Sequence, residues 1–100
     1  MRKKKFVPKH RADLNRRLYR TWRNSVLRRD GHKCQMPECK YGGARLQIHH
    51  IYKWSTEPSL RYKSTNGITL CPKCHKRVTG HEDIWAAFFL KIIMDKINDV

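Results

Sequence analysis

The sequence predicts a small α+β protein, with a helix near each end and a pair of short strands and a short helix between them. Three observations predict it. Apolar residues recur at helical spacing over 13–29 and again from Ile84 to Ile97. Between these stretches, Leu46, Ile48 and Ile51, and then Ile68 and Leu70, mark two short extended segments. Four cysteines in two close-spaced pairs flank those segments.

In the first helix, Leu14, Leu18, Trp22 and Val26 recur every four residues and form one stripe, which is expected to face the core. Asp13 is placed to cap its start, and Gly31 follows its last apolar residue, where a left-handed backbone suits glycine. Arg16, Arg17, Arg20, Arg23, Arg28 and Arg29 occupy its other faces, on solvent or on phosphates. Residues 1–10 read as a basic, flexible arm, and 11–100 as a single domain. Arg45 to Ile51 is expected to be a strand. Tyr52 to Asn66, with Pro58, three Ser and two Thr, reads as a long loop. Asn66-Gly67 signals a turn before a strand at Ile68–Leu70. Cys71-Pro72 opens a helix that Gly80 ends. Glu82 and Asp83 suit the first turn of the last helix, whose apolar face (Ile84, Trp85, Phe88, Phe89, Ile92, Ile93, Ile97) is expected to pack on the Leu14–Val26 stripe. A dimer contact or a groove for another protein is the alternative use of that face.

Composition bounds the function. The 100 residues hold 23 Lys+Arg against 8 Asp+Glu, a formal charge of +15, with 39% hydrophobic residues. A chain this short buries only about two-thirds of its unfolded surface, so its core needs help from a metal or disulfides. The charge points to a polyphosphate partner, nucleic acid first, with an anionic membrane surface as the plainer rival. No apolar run reaches the roughly 20 residues of a membrane span. The longest, Ile84 to Met94, is interrupted by Lys91. Residues 1–6 lack the apolar segment of a secretion signal, so a cytoplasmic location is expected.

Cys34 and Cys39 are separated by four residues and Cys71 and Cys74 by two, with 31 residues between the pairs. Two such knuckles match tetrahedral thiolate ligation of zinc, each bringing two sulfurs to about 2.3 Å from one ion. Without an export signal, zinc is preferred to two disulfides. A site closed by four sulfurs has no open position for hydrolysis, so any catalysis needs other residues. Those at hand are His49, His50, Asn66 and His75. In a regular strand His49 and His50 diverge to opposite faces, so they serve different tasks.

The stretch Leu46-Gln47-Ile48-His49-His50-Ile51, with Asn66 and Cys71-x2-Cys74-His75, resembles the HNH endonucleases, whose core is a ββα-metal (His-Me finger) unit. The resemblance runs from Asp30-Gly31-His32-Lys33-Cys34 to about Gly80 and implies roles residue by residue. His50 matches the general base that activates water. His49 and His75 match ligands of a catalytic divalent ion. Asn66 matches the residue that bonds across the motif and orients the base. It implies metal-dependent hydrolysis of DNA, by nicking or double-strand cleavage, leaving 5′-phosphate and 3′-hydroxyl ends. By analogy it also implies a place in bacteriophage DNA processing, packaging or homing. Many family members carry Asp where His49 stands. Two imidazoles favour Mn2+, Ni2+, Co2+ or Zn2+ over Mg2+. Some relatives have a further His where this chain has Thr79, and His81 lies two residues on. His10 and His32 read as surface residues.

Arg16, Arg20, Arg23, Arg61 and Lys63 are the candidate phosphate contacts; Trp54 is expected to pack the loop, and Tyr52 either packs it or stacks on bases. The rival readings are a non-catalytic zinc-stabilised module that binds nucleic acid and an accessory subunit of a larger DNA-processing machine.

Overall fold

A computed structural model describes residues 7–39, 41–53 and 58–98. Five regular elements follow one another: α1 (Val7–Arg29), β1 (Gln47–His50), β2 (Gly67–Leu70), α2 (Pro72–Val78) and α3 (Glu82–Asn98). Single 3-10 turns at Pro58–Leu60 and Ser64–Asn66 shape the segment between the strands. The expected arm is corrected in part: residues 7–10 are already helical, because Pro8 falls in the first turn, where its missing N–H costs nothing. Residues 1–6 lie outside the described residues, as does Trp54. Asp13 therefore does not cap the helix. It sits inside it and pairs with Arg16 one turn on. The far end behaves as expected. Gly31 (φ +67°) and His32 (φ +58°) turn left-handed, and the amides of Gly31 and His32 return to the carbonyls of Arg28 and Leu27.

The strands pair antiparallel, with Gln47 opposite Leu70, Ile48 opposite Thr69, His49 opposite Ile68 and His50 opposite Gly67. Two strands alone are marginal in water. Here all four β2 residues are buried, as befits a strand covered on both faces. Trp22 and Val26 of α1 lie against Gly67 on one side. On the other, Phe89 and Ile93 of α3 and Val78 of α2 join Ile51, Ile68 and Leu70 in the core. The sheet thus separates the two long helices, and the expected packing of α3 on the Leu14–Val26 stripe is not what forms.

Only half of that stripe is buried. Trp22 and Val26 are sealed, while Leu14 and Leu18 are 54% and 38% exposed. The reason is length. A helix of 23 residues spans about 35 Å, and a four-residue strand spans only about 13 Å. The N-terminal half of α1 outruns the sheet, and every residue from Asp13 to Arg20 is exposed. The apolar face of α3 is likewise divided: Ala86, Phe89 and Ile93 are buried, whereas Ile84, Phe88, Met94 and Ile97 are exposed. None of the described helices is long and apolar enough to cross a membrane.

One buried ion pair ties α1 to the strands. Asp30, 4% exposed, accepts the Thr69 amide at 2.9 Å and is gripped by the Arg29 guanidinium at 2.9 and 3.1 Å. Arg29 also donates to the carbonyls of Ser64 (2.7 Å) and Gly67 (2.6 Å). Of the six arginines assigned to solvent or phosphates, this one is structural. Truncating one partner of such a pair leaves the other charge without compensation and costs on the order of 3 kcal/mol. Asp30→Ala should therefore lower the free energy of unfolding by about that amount. Urea denaturation of the zinc-loaded protein measures it, and a change under 1 kcal/mol (roughly the worth of an exposed pair) would show the network to be dispensable.

Candidate functional site

The two cysteine knuckles are local structures. The turn after α1 carries Cys34, whose amide bonds the Tyr41 carbonyl at 2.9 Å; the Cys39 amide closes on Met36 at 3.0 Å, beside Glu38 with φ +69°. Cys71 caps α2, its sulfur accepting the Cys74 amide at 3.4 Å, with Pro72 at the first helical position. Together they bring all four sulfurs within 4.8 Å of one another. Cys39 Sγ and Cys71 Sγ are 3.8 Å apart, the edge of a tetrahedron with metal–sulfur bonds of about 2.3 Å. Burial pushes the Cys34 and Cys74 thiols up. Burial works the same way on Cys71, but the Cys74 amide and the neighbouring thiols outweigh it and bring Cys71 down to about 7. The cluster thus readily holds one thiolate but resists collecting several negative charges without a cation. A divalent ion removes that resistance. The four cysteines are fit to hold zinc, and the ion would join the end of α1 to the start of α2.

The histidines sit on the sheet's edge as strand geometry requires, on opposite faces. His49 is 6% exposed and points toward α2 and α3, its ring centroid 5.7 Å from that of His75 and 5.7 Å from that of Phe89. Two imidazoles that share an ion at about 2.1 Å per metal–nitrogen bond have centroids roughly 5–6 Å apart, so the spacing of the His49 and His75 rings is compatible with a shared cation. Burial, then the nearby His75, lowers the His49 pKa to about 4. At neutral pH its ring is uncharged and able to ligate. His50 points the other way. It is half-buried, stacks on the Trp22 indole with centroids 4.0 Å apart and planes 12° from parallel, and its Nε2 lies 3.0 Å from the Arg61 carbonyl. Since a carbonyl only accepts, the neutral ring carries its proton on Nε2 and its lone pair on Nδ1.

Asn66 fastens the segment between the strands. Its Oδ1 accepts the Tyr52 amide at 2.8 Å, and its Nδ2 donates to the carbonyls of Tyr52 and Leu60, both at 3.1 Å. Its own carbonyl accepts the Ile51 amide at 3.0 Å. Buried at 3% exposure, it uses both ends of its amide to hold the chain just after His50 against the turn that supplies the Arg61 carbonyl.

Residues 34–80 match the family model described as HNH endonuclease. That segment is an HNH domain. No curated protein and no solved structure matches the chain.

The HNH domain contains both knuckles, the three histidines and Asn66, but α1 lies wholly ahead of it. Of the basic candidates, Arg16, Arg20 and Arg23 line one shallow concavity along α1 with Asn15 and Tyr19. Arg23 also reaches the Leu46 carbonyl at 3.5 Å. The Tyr19 ring lies 5.7 Å from that of Trp22, so this face of α1 leads to the indole that covers His50. Arg61 and Lys63 touch the site through their backbones, Arg61 at His50 and Lys63 by accepting the Trp22 Nε1–H at 2.8 Å. Three residues were given other duties by sequence reasoning. Trp22 is not merely a core residue, Arg29 is not a surface cation, and Asp30 is more than the start of a motif. The one signal in the sequence was their place at the last turn of an apolar stripe directly before a cysteine knuckle.

Proposed function

We propose that the chain is a metal-dependent HNH endonuclease that hydrolyses DNA phosphodiester bonds on a ββα-metal core formed by β1, β2 and α2. The observation that carries this reading is the 5.7 Å separation of the His49 and His75 ring centroids, with His50 next to His49 on the strand and half-buried on its other face. In this reading His49 and His75 hold a divalent ion, Mn2+, Mg2+, Ni2+, Co2+ or Zn2+. Bound there, the ion supplies Lewis-acid stabilisation of charge on the scissile phosphate and the departing 3′ oxygen. His50 accepts the proton of the attacking water at Nδ1, with the Arg61 carbonyl holding the ring's other nitrogen. Asn66 keeps that carbonyl's turn in place. The four-cysteine site takes no part in the chemistry and holds the domain closed around zinc. A place in phage genome processing or packaging follows from the same family reading.

Incubating supercoiled plasmid with the purified protein over a panel of these ions tests the activity. Conversion to nicked or linear DNA in at least one of them supports it; intact DNA throughout, with folded protein bound to it, supports a non-catalytic binding module instead.

The phosphates are gripped by Arg16, Arg20, Arg23, Arg61 and Lys63, so binding should be largely electrostatic and weakly sequence-selective. Each phosphate contact removed should flatten the plot of log affinity against log salt by about 1. Arg16→Ala with Arg20→Ala should therefore reduce that slope by about 2, equally for unrelated duplexes, in fluorescence anisotropy titrations. An unchanged slope would place the DNA elsewhere.

A further inference from the structure

We infer that Trp22, from the helix outside the matched domain, is a positioning residue for His50 and makes α1 part of the active site. This rests on His50 being the base of the proposed reaction. Three observations converge on it. The indole lies nearly flat on the imidazole, 4.0 Å between centroids and 12° from parallel. Its Nε1 is anchored to the Lys63 carbonyl at 2.8 Å, so the ring cannot slide along the helix or rotate about its long axis without losing that bond. The residue paired with His50 across the sheet is Gly67. A Cβ at Gly67 would stand 2.6 Å from Trp22 Cζ2 and 2.8 Å from Val26 Cγ2. Only a residue without a side chain lets the indole descend onto His50. The sheet register, the glycine and the tryptophan thus act together on one imidazole.

The physical consequence is restraint. The Arg61 carbonyl holds one nitrogen of the His50 ring, which does not by itself stop the ring from tilting. A flat aromatic face removes that freedom and keeps Nδ1 aimed in one direction. A base misplaced by about 1 Å can lose on the order of 10²-fold in rate. Because Trp22 is 2% exposed and offers substrate almost no surface, its loss should act on kcat and leave KM largely alone.

Three variants of the full-length, zinc-loaded protein test this in plasmid cleavage, each with a thermal melt to establish that it is folded at the assay temperature. Trp22→Leu keeps apolar volume but removes the flat face, and should lower kcat by roughly 30-fold or more. Trp22→Phe restores a flat ring without the indole N–H and should recover most of the rate, within roughly fivefold of wild type. Val26→Ala opens the same buried seam between α1 and Gly67 without facing His50, and should lower the melting temperature while leaving kcat unchanged. That ordering supports the assignment. If Val26→Ala loses as much kcat as Trp22→Leu, or if Trp22→Leu cuts like wild type, Trp22 only packs the helix and the inference is overturned while the nuclease reading stands. A folded wild type that cuts in none of the ions overturns both.

Discussion

Cys71→Ser is expected to leave the chain without a cooperative folding transition at 25 °C. Stripping the wild type with a strong zinc chelator should do the same. Cys71 has two tasks: its sulfur is one corner of the four-sulfur cluster, and it caps α2 by accepting the Cys74 amide. Serine can still cap α2 through its hydroxyl, so what the substitution removes is the zinc ligand. Losing zinc removes on the order of 10 kcal/mol in small zinc domains, as much as the whole stability of an ordinary domain. The core cannot make up that difference. It is built on a two-stranded sheet of four residues per strand, and half of α1 lies beyond it. Far-UV circular dichroism with a thermal ramp reads the outcome, and metal analysis of the wild type should find one tightly held zinc per chain. A sharp melt in verified zinc-free protein would mean that apolar packing suffices. A milder chelator provides a second separation: it should stop cleavage by taking the ion at His49 and His75 before it reaches the sulfur-bound one.

His50→Ala should abolish cleavage, by about 10³-fold or more, while folding and DNA affinity persist. General-base catalysis contributes about 10²–10⁴-fold. The His50 ring is half-buried rather than sealed, so truncating it opens no deep cavity. Protein that still binds the duplex in an anisotropy assay and no longer cuts it is the required combination; loss of binding in step with cutting would make His50 a contact residue. The acid limb of the wild-type rate gives a further check. Burial lowers the His50 pKa, the Arg61 carbonyl bond opposes that, and the Arg61 charge adds to it, with a net shift downward from 6.5. A base works unprotonated, so a lowered pKa keeps it working in stronger acid. The rate should therefore begin to fall at a lower pH than an exposed imidazole would dictate. An acid limb above 6.5 would point to a different base.

The parts of this molecule legible in its sequence are those made by neighbours along the chain. Spacers of four and two residues identify the cysteine knuckles because a knuckle closes within one turn, and the structure brings all four sulfurs together. Gly31 and Pro72 mark helix ends because their backbone limits are local. The alternation of a strand separates His49 from His50, whatever each then faces. Tertiary structure decided what those local pieces meet. Periodicity marks Leu14 and Leu18 as apolar, but only the shortness of the strands leaves them uncovered. It draws the apolar face of α3, yet the sheet lying between α1 and α3 determines which part of that face is buried. Trp22 reaches His50, Arg29 reaches Gly67, and Asp30 reaches Thr69 across 28 to 39 residues of chain. Such meetings depend on register and on the space that Gly67 leaves. No rule of local spacing contains them, because their energy comes from surfaces that adjoin only once the layers have closed.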